Sequence, residues 1–481
     1  MFLVAAQPDH CHMPVIPYQR FARPERPGRR IVIQQRDHTV GKLLLPLAAL
    51  LSGVGLLIVG TGLMFAAIGA QAAGANFSSL VTGLVMSAYF AGAIYGTYAC
   101  PHIIRKVGFI RAFAAMASIA STLPLMHALW INPWFWGGLR FVTGLCLVGL
   151  YLVVESWLNV VAPTDKRGKV FAIYLVVNMV ALALGQWLIL VGDRFGFVPF
   201  VMVSVLFSFA LVPITLTPVE QPVVTEAPKF SLVELFTISP IGTLGALVSG
   251  MLSGPLLGLG QVFGAGVGFS EAGIATFMAA TILGGAVFQW PVGHFSDRHD
   301  RRLVLLWVAI SCATVAGIGY FLARDYEGSL IALGVVFGGL AFTIYGISVA
   351  HVNDLVDRAK VLQVTGGLLL LNGMGATIGP TLAGGLMDLL GPEALMLYFS
   401  AVLVTLAALT WHYRRKFPMN RGEPHEKVDY VMAGTSTQAV LPMDPRFPDS
   451  EMPPQDASPP PPAPPPEEPV PPPVATTRTD H

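Results

Sequence analysis

The stretch LLPLAALLSGVGLLIVGTGLMFAAIGAQA, residues 44–72, contains no Asp, Glu, Lys or Arg. About 20 mostly apolar helical residues cross a bilayer core about 30 Å thick, because a backbone in lipid must satisfy its own hydrogen bonds. Eleven further windows meet the same demand, at 80–103, 110–131, 135–161, 170–192, 197–217, 240–264, 271–293, 303–323, 329–352, 364–390 and 394–413. The sequence therefore predicts an all-α membrane protein with twelve transmembrane helices.

The composition supports a membrane protein and excludes several other classes. Hydrophobic residues make up 54% of the chain and charged residues 12%, against about 45–50% and about 25% in soluble domains. The net charge of +1 gives no sign of a basic nucleic-acid surface. The cysteines form no CxxC pair, so we expect no disulfide framework, no metal site and no cofactor. GxxxxGK[ST], HExxH and GxSxG motifs do not occur, and we expect the chain not to be an enzyme.

The domain organisation follows from one long connection. Residues 218–239 carry Pro218, Pro222 and Pro228, and they separate a half at 44–217 from a half at 240–413, with six predicted spans in each. Residues 1–43 form a basic N-terminal arm, and residues 414–481 form a Pro-rich tail that we expect to be disordered. The tail is interpreted as a flexible extension, with an SH3-like docking ligand as the alternative.

The orientation is predicted from the distribution of Lys and Arg, because basic residues are retained in the cytoplasm. Basic loops alternate with nearly uncharged ones, and the two exceptions on the weakly charged side are Arg194 and Arg324. We therefore expect a multi-pass protein of the cell (inner) membrane with both termini cytoplasmic.

An internal repeat relates the two halves at an offset of 194 positions. The matched residue pairs are Tyr151 with Tyr345, Asn159 with Asn353, Lys166 with Lys360, Asn178 with Asn372, and Gly185 with Gly379. Two six-span halves related by a repeat are the architecture of secondary transporters, which expose a midplane site alternately to either side.

Three motifs carry a resemblance to a known family. The loop Gly293-x-x-x-Asp297-Arg298-x-x-Arg301-Arg302 is close to the GxxxDRxGRR signature of the major facilitator superfamily, and Arg140-x-x-x-Gly144 resembles its second motif. The run from Glu155 to Asn159 followed by 167–171 is most similar to the YcaD-like bacterial branch. The resemblance implies alternating-access transport of a small molecule, coupling to protons, contact with membrane lipids and a monomer.

The same resemblance implies a cytoplasmic gating motif in each half. In the second half it comprises Gly293, Asp297, Arg298, Arg301 and Arg302, and in the first half Arg105, Lys106, Gly108 and Arg111. The first-half loop departs from the family pattern because Arg105 stands where the family has Asp.

Two ionisable residues of the fourth span are candidates for function, since charged groups at membrane depth are costly. Arg140, Tyr151 and Glu155 fall within about 60° of one another on a helix. Glu155 is interpreted as a latch that uses the Arg105–Arg111 loop to hold the outward-facing state, with a proton-carrying carboxylate as the alternative. Arg140 either lines a cavity, where it couples proton movement or fixes an anion, or forms a packing salt bridge.

Polar residues of the fifth, tenth and eleventh spans complete the candidate set. Asn178, Gln186, Tyr345 and Asn372 join Tyr151 as groups that either line a two-sided site or hydrogen-bond between helices. We expect proton-coupled efflux of an amphipathic small molecule. The alternatives are uptake of a sugar or organic acid, and a non-transporting receptor or scaffold with the same fold.

Overall fold

A computed structural model describes residues 40–163, 166–217, 231–323, 327–416 and 437. In this part of the chain, twelve helices are long and apolar enough to cross a membrane. Together with the short helix α7, they are α1 Val40–Gly74, α2 Ser79–Val107, α3 Phe109–Leu129, α4 Pro133–Val161, α5 Arg167–Trp187, α6 Val198–Thr215, α7 Leu232–Ile238, α8 Pro240–Gly266, α9 Glu271–Arg298, α10 Arg301–Leu322, α11 Glu327–Asn353, α12 Arg358–Leu390 and α13 Ala394–Lys416.

The predicted number and order of spans are confirmed. The helices run a few residues past the apolar windows because their ends tolerate polar residues; α13, for example, continues through Lys416. The seven-residue helix α7 within the linker is an element that the hydropathy pattern did not predict. Residues 1–39 of the N-terminal arm, 218–230 of the linker, and 417–436 and 438–481 of the tail lie outside the described residues.

Local sequence signals fix where the helices begin. Ser78, Asn132 and Ser270 accept hydrogen bonds from the first backbone N–H groups of α2, α4 and α9, which would otherwise lack partners. The turn between α2 and α3 is a single residue, Gly108, with φ of 88°. Glycine adopts this left-handed backbone at no steric cost, which explains why it stands at this tight reversal.

Two hydrophobic cores correspond to the two halves. One is built mainly from α1–α6 and the other from α8–α13. Gly144 of α4 packs against the backbone of Tyr89 in α2, and Gly338 of α11 packs in the same way against Thr281 in α9. Because the repeat relates Gly144 to Gly338, the two halves use equivalent small residues for close helix crossing.

The two ends of the bundle differ in how the halves meet. We call the end where α1 begins and α13 ends the terminal face, and the other end the opposite face. At the opposite face, the Asp388 carboxylate of α12 accepts hydrogen bonds from the backbone N–H groups of Ser79 (2.7 Å) and Leu80 (3.1 Å) in α2. Arg194 and Glu271 form an ion pair at 3.0 Å between the halves. These contacts seal the opposite face.

Candidate functional site

A cavity of about 160 Å³ lies between the halves. Its polar lining comes from Thr61, Tyr89, Thr97, Tyr151 and Asn178 of the first half and from Ser253 and Asn372 of the second. Apolar side chains such as Phe65, Phe90, Leu257 and Leu370 cover the rest. Such a mixture of apolar walls with a few amides and hydroxyls is typical of a small-molecule site.

Glu155 is fully buried in α4, close to the cavity. Its carboxylate accepts a hydrogen bond from the Tyr174 hydroxyl of α5. It also accepts bonds from the backbone N–H of Thr437, at 2.9 and 3.2 Å to its two oxygens, and from the Thr437 hydroxyl. A buried carboxylate needs such donors, because an unpaired charge in an apolar setting is costly. The predicted latch between Glu155 and the Arg105–Arg111 loop concerns the outward-facing state, and it stays a prediction.

Arg140 is fully buried and stacked between two aromatic rings. Its guanidinium carbon lies 4.4 Å from the ring centroid of Phe65 and 4.4 Å from that of Tyr89. Its Nη2 is 3.8 Å from the Met86 sulfur, and its Nε has no hydrogen-bond partner among the described residues. The predicted alternative of a packing salt bridge is therefore wrong for the described part of the chain, where aromatic faces and not a carboxylate compensate the charge.

Three further candidates line the cavity, and their role in a solute pathway stays a prediction. The Tyr151 hydroxyl is 3.1 Å from the Thr61 hydroxyl. Asn178 and its repeat mate Asn372 line the cavity from opposite halves. The Asn178 amide makes no hydrogen bond of ordinary geometry to the described residues, while Asn372 donates to the Ala246 carbonyl at 3.4 Å. The pair thus offers amide groups to a solute from both sides.

Gln186 and Tyr345 lie away from this cavity. Gln186 donates to the Gly62 carbonyl at 3.0 Å and accepts a hydrogen bond from Gln261 of the second half at 3.2 Å, near the opposite face. Tyr345 is buried in an apolar cluster with Val349 and Leu368. In this conformation Gln186 bridges the halves and Tyr345 contributes to packing, whereas their predicted place in a solute pathway stays a prediction.

The gating motif of the second half forms an ionic network at the terminal face. Arg301 pairs with Asp354 at 2.7 Å and with Asp297 at 2.9 Å. Arg302 pairs with Asp300 at 3.2 Å. Partial burial raises the pKa of Asp300, but hydrogen bonds and charge from Arg302 outweigh this effect and leave the pKa below its ordinary value. Gly293 is buried in α9, and the nearby Arg298 is exposed.

The gating motif of the first half has a different setting. Arg105, Lys106 and Arg111 are exposed around the turn at Gly108. No acidic residue occurs between 101 and 111, so this loop carries only positive charge. Because of the departure from the family pattern at Arg105, this loop does not itself supply an acid equivalent to Asp297 of the second half.

Sequence reasoning missed the residues that contact Glu155 and Arg140. Tyr174 lies one helical turn before Asn178, so the two residues share a face of α5. This spacing could have identified Tyr174 as a candidate. Phe65 and Tyr89 come from other helices, and nothing in the sequence places them beside Arg140. Thr437 belongs to a tail whose composition predicts no buried residue, yet its side chain is only 7% exposed.

The fold and the cavity define a class of protein, the secondary transporters with two six-helix halves around a central site. Among solved structures, the chain resembles the nucleoside transporter NupG, with a TM-score of 0.63 and 15% identity over 76% of this chain and 98% of that one. It also resembles a bacterial homologue of the human lysosomal transporter Spinster in an inward-facing, unoccupied conformation, with a TM-score of 0.64 and 16% identity over 79% and 99% of the two chains. At this identity the likeness shows the fold.

Comparison at the level of sequence shows what the chain is similar to. The family model described as Major Facilitator Superfamily matches residues 241–465. An uncharacterised MFS-type transporter of Enterobacter sp. (strain 638) is 27% identical over 365 residues, or 74% of this chain and 93% of the relative. The uncharacterised MFS-type transporter YcaD of Salmonella typhimurium is 26% identical over 361 residues, with the same coverage. The chain is a multi-pass membrane protein that is similar to transporters of the major facilitator superfamily, and the expected resemblance to YcaD is confirmed.

Proposed function

We propose that this secondary transporter exports amphipathic small molecules from the cytoplasm in exchange for protons, by alternating access and without catalysis. The observation that carries the proposal is the cavity between two halves that are joined at the opposite face. A site reached from one side at a time is what alternating access requires. The terminal face is assigned to the cytoplasm of the inner membrane, on the basis of the Lys and Arg distribution.

The chemistry of the lining supports an amphipathic solute. Apolar side chains dominate the cavity wall, and Tyr151, Asn178 and Asn372 supply hydrogen-bonding groups around it. A solute with an apolar body and a few polar atoms would satisfy both kinds of surface. Glu155 and Arg140 are the ionisable groups nearest the cavity on α4, and we assign to them the conformational or protonic part of the cycle.

The direct test is proton flux in proteoliposomes. Purified full-length protein is reconstituted with a pH-sensitive dye inside, and candidate solutes from a ligand-stabilisation screen are added outside. A transporter gives solute-stimulated proton movement, whereas a receptor or scaffold that kept the fold gives none. Absence of flux with every solute that stabilises the protein would overturn the proposal.

Uptake of an organic acid is the second candidate, and Arg140 favours it. A buried guanidinium with no carboxylate partner among the described residues is suited to an anionic group. Solute accumulation in inside-out and right-side-out vesicles distinguishes the two directions. Accumulation only in inside-out vesicles supports export, and accumulation only in right-side-out vesicles supports uptake.

The orientation has its own test. Reporter fusions after Ala73, at the opposite face, and after Lys229, in the linker, should give opposite signals. An alkaline phosphatase fusion is expected to be active after Ala73 and inactive after Lys229. Equal signals at the two sites would refute the assigned topology.

A further inference from the structure

One carboxamide on the cavity wall has both of its polar atoms free. Asn178 of α5 is only 6% exposed and lines the cavity. Neither its Oδ1 nor its Nδ2 has a hydrogen-bond partner among the described residues. The hydroxyl of Tyr174, one helical turn away, donates to Glu155 instead. Because buried polar groups are nearly always hydrogen-bonded, a free carboxamide edge beside a cavity is suited to a ligand.

The repeat mate of Asn178 is held by the fold. Asn372 lines the same cavity from α12, but its Nδ2 donates to the Ala246 carbonyl of α8 at 3.4 Å. A carboxamide that is tied to a neighbouring helix keeps fewer of its hydrogen-bonding positions for a solute. The two halves therefore place an amide on each wall, and the amide of the first half is the one whose whole edge is available.

The shape of this edge specifies the hydrogen-bonding pattern of a solute. A carboxamide presents one acceptor and one donor group side by side in a plane. A solute that pairs with both must carry a donor and an acceptor on adjacent atoms of a planar edge, as a lactam or an aminopyridine does. Asn side chains pair with the edge of adenine in this way when they bind nucleic acids.

The cavity walls beside Asn178 differ in a way that suits a flat ring. The aromatic side chains of the described lining all belong to the first half, and they are Phe65, Tyr89, Phe90 and Tyr151. Phe65 packs edge-to-face against Tyr89 with ring centroids 5.0 Å apart, and it stacks on Phe90 at 6.0 Å. The second half contributes aliphatic side chains such as Leu257 and Leu370. A planar solute between these walls contacts aromatic rings on one side and aliphatic groups on the other.

The cavity offers no charged group to a solute. Its described lining contains no Asp, Glu, Lys, Arg or His. Arg140 stacks on the rings of Phe65 and Tyr89 but is not itself a lining residue. A charged solute would lose its hydration in this cavity without gaining a counter-charge. The lining therefore favours an uncharged solute over an organic acid.

We propose that the cavity binds an uncharged planar heterocycle whose lactam-type edge pairs with both polar atoms of Asn178. The ring lies between the aromatic wall of the first half and the aliphatic wall of the second. The inference rests on the proposed transport function, because it names the class of solute for the same cavity. Binding itself can be measured without transport.

Two isomers of one heterocycle test the pairing. The probe 2-quinolone carries its N–H and C=O groups on adjacent ring atoms, whereas 4-quinolone carries the same groups on opposite sides of the ring. Calorimetric titration of the full-length protein in lipid nanodiscs measures both affinities, and empty nanodiscs measure partition into lipid. We expect 2-quinolone to bind about ten-fold or more tightly than 4-quinolone, the scale of a bidentate amide pair. Equal affinities, or no binding of 2-quinolone, would overturn the proposal.

Substitution of Asn178 assigns the pairing to this residue. Leu is similar in size to Asn but has no polar side-chain atom, so in Asn178→Leu the ratio of the two affinities should fall to about one. Asn372→Leu makes the same change at the repeat mate and should keep the preference for 2-quinolone. Because the isomers have the same size and composition, a general loosening of the cavity affects both alike. Asn178→Ala gives the same comparison if Asn178→Leu does not fold, and a preference retained in the Asn178 variant would overturn the proposal.

Failure of the transport function and failure of this inference give different results. Discrimination between the two quinolones without solute-stimulated proton flux would refute transport and leave the site at Asn178 in place. Proton flux with solutes that lack a lactam-type edge, together with equal affinities for the two quinolones, would refute the inference and leave transport in place.

Discussion

The two halves of the protein are related by the repeat, but equivalent positions in them differ in chemistry. In the first half, Glu155 of α4 accepts a hydrogen bond from Tyr174 of α5. The residues 194 positions later are Val349 and Leu368, which pack with Tyr345 in an apolar cluster. The position equivalent to Arg140 is Gly334. One half therefore presents ionisable groups at membrane depth, and the other presents an apolar face at the same positions.

The second half concentrates its charges at the terminal face. Arg301 links Asp297 of α9 to Asp354, just beyond α11, and Arg302 pairs with Asp300. These ion pairs join the ends of neighbouring helices within one half. We propose a division of roles, in which the first half carries the groups that change during the cycle and these ion pairs hold the helix ends of the second half together.

Placing an acid at Val349, the position equivalent to Glu155, is the most severe way to break this asymmetry. Val349→Glu buries a carboxylate among Tyr345, Leu368 and other apolar side chains. We expect it to destabilise the protein by about 3–5 kcal/mol, the scale for an uncompensated buried charge, and to reduce the yield of folded protein sharply. Val349→Gln is the neutral control of similar size. Size-exclusion profiles and thermal unfolding in detergent measure both, and a V349E protein as stable as wild type would contradict the asymmetry.

The stacking of Arg140 provides the next largest effect. Arg140→Lys keeps the charge but loses the planar group that contacts Phe65 and Tyr89 together. Each desolvated cation–π contact is worth about 2 kcal/mol, so loss of one lowers the transport rate by roughly 30-fold. Arg29→Lys, in the N-terminal arm outside the described residues, is the matched control and should transport normally. Normal initial rates for R140K in proteoliposomes would show that charge alone suffices.

Glu155→Gln separates the latch from the proton carrier. A latch biases the conformational equilibrium, and its loss, at about 1–3 kcal/mol, changes the ratio of the two conformations about 5–150-fold. Labelling of cysteines at the two faces is then expected to shift toward the conformation sealed at the opposite face, and Arg105→Gln or Arg111→Gln should shift it in the same direction. Unchanged accessibility, together with transport that no longer depends on pH, would assign Glu155 to the proton path.

The terminal network of the second half gives the smallest effect. The folded-state pKa of Asp300 is below its ordinary value, so its contribution to stability is present at neutral pH and is lost as the pH falls through that lowered pKa. Asp300→Asn should therefore lower the unfolding temperature at pH 7 by an amount corresponding to about 1 kcal/mol, and wild type and variant should converge well below about pH 4. A difference that is independent of pH would refute the ionic origin of this contribution.

The fold could be predicted from sequence because membrane spans obey a length rule. Apolar runs such as 44–72 leave few alternatives, and the matches of Tyr151 with Tyr345 and of Asn178 with Asn372 disclose the repeat. The site was predicted only in part. Periodicity places Arg140 and Glu155 on one face of α4, but it does not tell which neighbouring helices cover that face.

The residues that escaped prediction share a physical cause. The aromatic rings around Arg140 meet only through the packing of α1, α2 and α4, which depends on long-range contacts. Tyr345 and Gln186 have the polarity of lining residues, yet helix rotation directs one into an apolar cluster and the other into a contact with Gln261. Polarity at a matched depth thus identified candidates, and only the rotation of each helix decided among them.

The carboxylate of Asp388 gives the seal at the opposite face a particular energetic character. It caps the N-terminus of α2 from the other half and does not require a basic side chain, because the backbone N–H groups and the helix dipole attract it. Hydrogen bonds to a charged group contribute about 1.5–3 kcal/mol each, and one elementary charge crossing 100 mV of membrane potential releases about 2.3 kcal/mol. Each of the two bonds to Asp388 is therefore on the scale of the free energy that the membrane potential supplies to one charge.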